Sequence, residues 1–157
     1  MPRITALIHT FNDGLRLGRA LDSLRACDQV IVVDHGSMDN TEKVAKDHGA
    51  EIKKGIPGVD RGAYAVDAAH DWIFCLCANE SVSEALEATL FDWKSNEHIN
   101  QSAFNVNIRE ESDAEWKKLG GQTRLVNRKK INWTSDLPQT MTMNEFLVGD
   151  LLRFRHP

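Results

Sequence analysis

Gln29-Val30-Ile31-Val32-Val33-Asp34 is apolar at adjacent as well as alternate positions, so a strand made from it buries both of its faces. That is the condition of a strand inside a parallel sheet covered on two sides. It restricts the architecture more than any other feature of the chain. The neighbouring segments agree with it. Ile4–Thr10 (ITALIHT) and Trp72–Cys77 (WIFCLC) are short apolar runs of the same kind. Between the first two runs, Leu17, Leu21 and Leu24 recur at helical spacing. After the second, Asp39-x-x-Glu42 has the capping-box pattern and Gly49 is a stop signal. Ala50–Lys54 (AEIKK) reads as a third strand and Val59–His70 as a helix. Ser81-x-x-Glu84 reads as the cap of a helix running to Ser95. Alternation of this kind predicts an α/β fold, with a mostly parallel sheet, right-handed crossovers and helices on both faces.

The second half changes character. Ser102–Glu110 alternates, and TRLVNR, KINW and FLVGDLLRF are short strand-like runs between turn signals. They predict an antiparallel extension of the same sheet. A length of 157 residues suits one domain with a real core. With 41% hydrophobic and 27% charged residues and a net charge of −4, the composition is that of a soluble globular protein. It argues against a general nucleic-acid binder. The basic run Arg124–Lys130 (RLVNRKK) reads as a solvated hairpin tip.

No segment approaches the roughly 18 apolar residues of a membrane span. The N-terminus lacks the pattern of a signal peptide, so the expected location is the cytoplasm. Cys27, Cys75 and Cys77 do not make a disulfide framework. Cys75 and Cys77, two apart on a strand, read as small hydrophobes, with no cluster of further ligands to make a metal site.

In open α/β sheets, ligands bind beyond the carboxyl ends of the strands. The polar residues there are Thr10 with Asn12, Asp34, and the Cys77-Ala78-Asn79 turn. The order ITALIHTFND, LDSLRACDQVIVVDHGSMDN, DWIFCLCANE and, later, GGQTRLVNRKKINW resembles the family 2 glycosyltransferases of the GT-A fold. The likeness is to a short bacterial branch related to lipopolysaccharide-core glucosyltransferases.

The resemblance implies a GT-A-like sheet in one domain, with residues 1–100 as the nucleotide-binding half and 101–157 as an acceptor-side β extension. It also implies a UDP-type nucleotide-sugar ligand. Thr10, Asn12 and Asp34 fall on the nucleotide-lining positions, with Asp34 accepting from the base or ribose.

The departures lie at the chemistry. The branch carries an Asp-x-Asp pair after its fourth strand that holds Mg²⁺ or Mn²⁺. Here Cys77 and Asn79 occupy those positions, with Glu80 following. Hard divalent cations want charged oxygens, so no metal cofactor is expected at this turn. A phosphate-contacting arginine of the branch falls one residue from Arg61, a rotation of about 100° on a helix. The acid that serves as general base falls on Gln139, which accepts no proton; Asp136 is the only acid nearby and the one catalytic candidate.

Metal, phosphate and base positions are thus altered together while packing positions are kept. The leading expectation is a glycosyltransferase-like protein with impaired catalysis and a residual nucleotide-sugar pocket. One alternative is an active, metal-independent transferase that uses Arg61, His9 or His35. Another is a non-enzymatic interaction protein, with Trp93, Trp116, Trp133 and the run Met141–Phe154 at an interface with a second copy or another protein.

Overall fold

The apolar runs become adjacent strands because each needs a neighbour on both edges and a cover on both faces. A computed structural model describes residues 1–157. In chain order the elements are β1 (Ile4–Thr10), α1 (Leu17–Asp22), β2 (Gln29–Asp34), α2 (Thr41–Asp47), β3 (Glu51–Lys54) and a 3₁₀ helix (Arg61–Asp67). They continue with β4 (Trp72–Cys75), β5 (Glu80–Val82), α3 (Glu84–Lys94), β6 (Ala103–Ser112), β7 (Glu115–Asn127) and β8 (Glu145–Arg153). All eight strands form one sheet in the order β3-β2-β1-β4-β7-β6-β8-β5. The β3-β2-β1-β4 half is parallel. The extension joins through antiparallel β4–β7 and β7–β6 pairs, and its outer part contains a parallel β6–β8 pair and an antiparallel β8–β5 pair.

Period-two alternation sorts the strand residues onto two faces. Ile4, Ala6, Ile8, Val32, Trp72 and Phe74 pack with Leu17, Ala20 and Leu21 of α1, Ala45 of α2, and Leu86, Leu90 and Trp93 of α3. Leu7, Ile31, Val33, Ile73 and Cys75 face the other way, against Tyr64, Ala65, Ala68 and Trp133. Helices therefore cover both faces unevenly, three α-helices on one and the 3₁₀ helix with the chain after β7 on the other. Trp72, Trp93 and Phe104 form a cluster with ring centroids 4.9, 5.8 and 5.9 Å apart, which ties α3 to the sheet.

Several local expectations are corrected. The Val59–His70 segment, read as a helix, is helical over Arg61–Asp67 only, as a 3₁₀ helix. Gly62 within it lies so close to the Trp133 carbonyl that a Cβ would overlap it, which fixes the spacing of these two segments. KINW is a turn followed by an extended loop, not a strand; Trp133 is there to fill the second core cluster. The cap of α3 is Ser83, whose Oγ accepts the Leu86 N–H at 3.2 Å, and Ser81 lies in β5. At the start of α2, Asp39 Oδ1 accepts the Thr41 N–H at 3.0 Å, and Asn40 holds the N-cap position.

The largest correction concerns Arg124. It is not at a solvated tip; its side chain is wholly buried in β7. It grips Glu80, also wholly buried, with Nη1–Oε1 at 2.7 Å and Nη2–Oε2 at 2.8 Å. Nη1 also donates to the Cys75 carbonyl at 3.0 Å, and Gln122 Oε1 accepts from Nε and Nη2. Arg153 donates to Glu80 Oε2 from Nε at 3.2 Å and Nη2 at 3.0 Å. Arginine neighbours and the Cys77 N–H hold the Glu80 carboxyl below its ordinary range although burial opposes this. A buried pair of this kind contributes little net stability over a hydrophobic pair, but removing one partner is costly. Arg124→Met is therefore expected to destabilise the fold by about 3–5 kcal/mol, and the double variant Glu80→Leu with Arg124→Met by less, as measured by urea denaturation.

Candidate functional site

The parallel register sets Thr10 beside Asp34 at the carboxyl edge of the sheet. Both are buried. Thr10 Oγ1 donates to Asp13 Oδ2 at 2.7 Å. Asp34 Oδ1 accepts from the backbone N–H and the hydroxyl of Ser37, while Oδ2 has no partner in the protein. Asn12 takes a left-handed conformation (φ 53°), tolerable for asparagine. Its N–H donates to Ser37 Oγ and its Oδ1 accepts the Met38 N–H, each at 2.8 Å, which clamps the loop after β1 to the loop after β2. Phe11, between Thr10 and Asn12, is exposed. The three residues expected from the sequence thus lie on one edge, and much of their hydrogen bonding serves the loops themselves.

Arg61 opens the 3₁₀ helix on the same side. Its N–H donates to the Thr134 carbonyl at 2.9 Å, and its guanidinium Nη1 to Asp136 Oδ1 at 3.1 Å. The two side chains are 42% and 51% exposed, so the pair is weakly held and open to exchange with another anion. Gln139 lies exposed further along that loop, beside a cleft of ≈ 430 Å³ formed with Trp133, Thr134 and Leu137. A larger cavity of ≈ 500 Å³ lies between the 3₁₀ helix and residues 128–134. Its cations, Arg128 and Lys129, are engaged with Asp71, so the carboxyl edge is the stronger candidate.

His9 and His35 project from the ends of β1 and β2 on the face of the 3₁₀ helix. Their rings stack with centroids 5.1 Å apart, and His9 Nδ1 lies 2.9 Å from His35 Nε2. One nitrogen donates and the other accepts, so the pair shares a single proton. Tyr64 meets both rings edge-on at 5.8 and 6.3 Å, and its hydroxyl accepts the Ile56 N–H. Gly55 leaves room for the His35 ring, which a Cβ would overlap. Burial lowers His9 from 6.5 to about 4; Asp136 raises it, and His35 and Arg61 lower it further. His35 is lowered by burial and Arg61, against Asp136 and Asp34. The sequence named these histidines separately. The register joins them, and Tyr64, the only tyrosine, carried no signal of its place there.

The turn after β4 completes the edge. The Leu76 N–H donates to the Leu7 carbonyl, so the turn leaves the sheet beside β1. Cys77 to Glu80 closes reciprocally: the Glu80 N–H donates to the Cys77 carbonyl at 3.0 Å, and the Cys77 N–H to Glu80 Oε1 at 2.9 Å. Burial and the neighbouring Glu80 push the Cys77 thiol up to about 12, so it is a neutral thiol. Asn79 is half-buried, and its carbonyl accepts the Phe154 N–H. The donor set here is a thiol and a neutral amide, with the one carboxylate drawn into the sheet. These residues do not fit a hard divalent cation.

Comparison with known proteins agrees with the fold. Residues 5–60, covering β1 to β3, match the model of Glycosyl transferase family 2. An uncharacterized glycosyltransferase of Rickettsia prowazekii is 27% identical over 150 residues, covering 89% of this chain and 51% of the relative. One from Rickettsia felis is 27% identical, covering 89% and 53%. The chain thus spans about half the length of these relatives.

A mycobacterial protein of known crystal structure superimposes with a TM-score of 0.62 at 12% identity, over 98% of this chain and 65% of that one. Glucosyl-3-phosphoglycerate synthase from Mycobacterium tuberculosis, bound to Mn²⁺, uridine diphosphate and glucosyl-3-phosphoglycerate, gives 0.55 at 15% identity, over 71% and 45%. The chain is thus similar to the family 2 glycosyltransferases over β1 to β3, and to uncharacterized glycosyltransferases along most of its length.

Proposed function

We propose that the chain is a glycosyltransferase-like domain with impaired transfer chemistry that keeps a UDP-type nucleotide-sugar pocket at Thr10, Asn12, Asp34 and Arg61. The observation that carries this reading is the β4 turn. It sets a neutral thiol and an amide where a divalent ion needs carboxylates, while Arg124 and Arg153 hold Glu80 away from it. Asp34 Oδ2 is free to accept from a ring N–H or a ribose hydroxyl. Arg61 can exchange Asp136 for a phosphate oxygen at little cost, since the existing pair is half exposed. Gln139 cannot act as a base, and Asp136 is engaged by Arg61. The departing diphosphate would thus have no divalent ion and no general base to assist it, and electrostatic help of that kind is usually the largest single catalytic contribution. The synthase bound to Mn²⁺ and uridine diphosphate supports the choice of ligand class.

A second reading, metal-independent transfer, is favoured by one observation: His9, His35, Arg61 and Asp136 gather at the same edge. There the neutral imidazole pair would be the proton acceptor, and Arg61 the cation toward the phosphates.

Calorimetric titration with UDP, with and without Mn²⁺, and a UDP-sugar hydrolysis assay separate the readings. Impairment predicts binding indifferent to Mn²⁺ and no hydrolysis above background; tight Mn²⁺-dependent binding with turnover refutes it. The second reading predicts a metal-free rate that Asp34→Asn or Arg61→Met abolishes. The double variant Cys77→Asp with Asn79→Asp is expected to gain Mn²⁺-dependent UDP affinity. The histidine pair predicts a pH effect of defined sign. A histidine held below its ordinary 6.5 takes up protons more readily when unfolded, so its contribution is complete above pH 6.5 and lost as pH falls toward about 4. The melting temperature should fall across that window, and His9→Leu should flatten the fall.

A further inference from the structure

We infer that Arg153 replaces the divalent cation at the β4 turn, so that this chain binds the diphosphate of its nucleotide without metal. The inference rests on the pocket reading above and deepens it. The Glu80 carboxylate lies between two guanidinium groups, giving the cluster a net charge of +1 beneath the turn. Two carboxylates at positions 77 and 79 would make that charge −1, and a bound divalent cation would return it to +1. With Cys77 neutral and Asn79 an amide, the chain reaches the same charge with no ion.

The two arginines are not equivalent. Arg124 is wholly buried and fully engaged. The Arg153 side chain is 21% exposed; it holds Glu80 through Nε and Nη2, and its Nη1 has no partner in the protein. One edge of the guanidinium is thus anchored while the remaining N–H groups are open. That is the arrangement in which arginine binds a phosphate oxygen with little loss of side-chain freedom. Position is set by the backbone as well. Arg153 pairs with Glu80 across β5 and β8, and the next residue, Phe154, donates its N–H to the Asn79 carbonyl at 2.8 Å, fastening β8 to the turn. Arg153 also lies within electrostatic reach of the Cys77 side chain.

The test titrates the whole chain with uridine, UMP and UDP by calorimetry in EDTA at low salt. The expected result is UDP binding about 10- to 100-fold tighter than uridine, the range of one or two charge-assisted hydrogen bonds, unchanged by Mn²⁺ and weakened by salt. Arg153→Met should remove most of that ratio and leave uridine affinity unchanged. Arg153→Lys should restore part of it. Cys77→Asp leaves Arg153 in place but cancels the positive charge, and should weaken UDP binding in EDTA. Equal affinity for uridine and UDP, an unchanged ratio in Arg153→Met, or a wild-type UDP affinity that rises with Mn²⁺ would each overturn the inference, and the first two leave the nucleoside pocket standing. No binding of any of the three would overturn the pocket reading along with it.

Discussion

The buried ion pair of Glu80 and Arg124 is the interaction on which the rest of the site depends. A carboxylate with no solvent contact must be fully compensated, and here two arginines and a backbone N–H do it. That requirement fixes four pieces of chain at once: the end of β4 through the Cys75 carbonyl, the turn through the Cys77 N–H, β7 through Arg124 and β8 through Arg153. The turn is therefore fastened by protein groups on three sides. The pair also decides the chemistry of the edge, since the one acid close to Cys77 and Asn79 is committed to structure.

The same edge shows how a parallel sheet gathers function from distant residues. Thr10 and Asp34 meet because β1 and β2 run in register, and on the opposite face His9 meets His35, two residues beyond its register partner Val33. The polar groups there divide into two sets. On one side Asn12, Asp13, Ser37 and Thr41 lock the loops above β1 and β2 together. On the other, the histidines, Tyr64 and the exposed Arg61–Asp136 pair form a softer border along the 3₁₀ helix.

The residues that sequence reasoning identified well are those whose signal is local. β2 is read at its observed bounds because six residues of continuous apolar character admit little else, and β1 likewise. The positions of Thr10, Asn12 and Asp34 at the carboxyl edge were legible as strand ends. Asp136 was legible as the one acid near Gln139, but its pairing with Arg61, 75 positions away, was not. β5 was missed because three residues carry no pattern and become a strand only by pairing with β8. KINW was misread because its alternation reflects Trp133 packing under the 3₁₀ helix, a demand of the second core cluster and not of a sheet.

The sequence by itself determined the parallel half of the sheet, the polar residues at its strand ends, and the thiol and amide of the β4 turn, because apolar periodicity and residue chemistry are properties of short stretches. Only the tertiary structure decided where the charges go. Arg124 looks like one more solvated cation in a basic run; it became the core partner of Glu80, 44 residues away, because burying either group alone is prohibitive. Which of two like-charged side chains is buried and which remains open to a ligand depends on the company the folded chain provides.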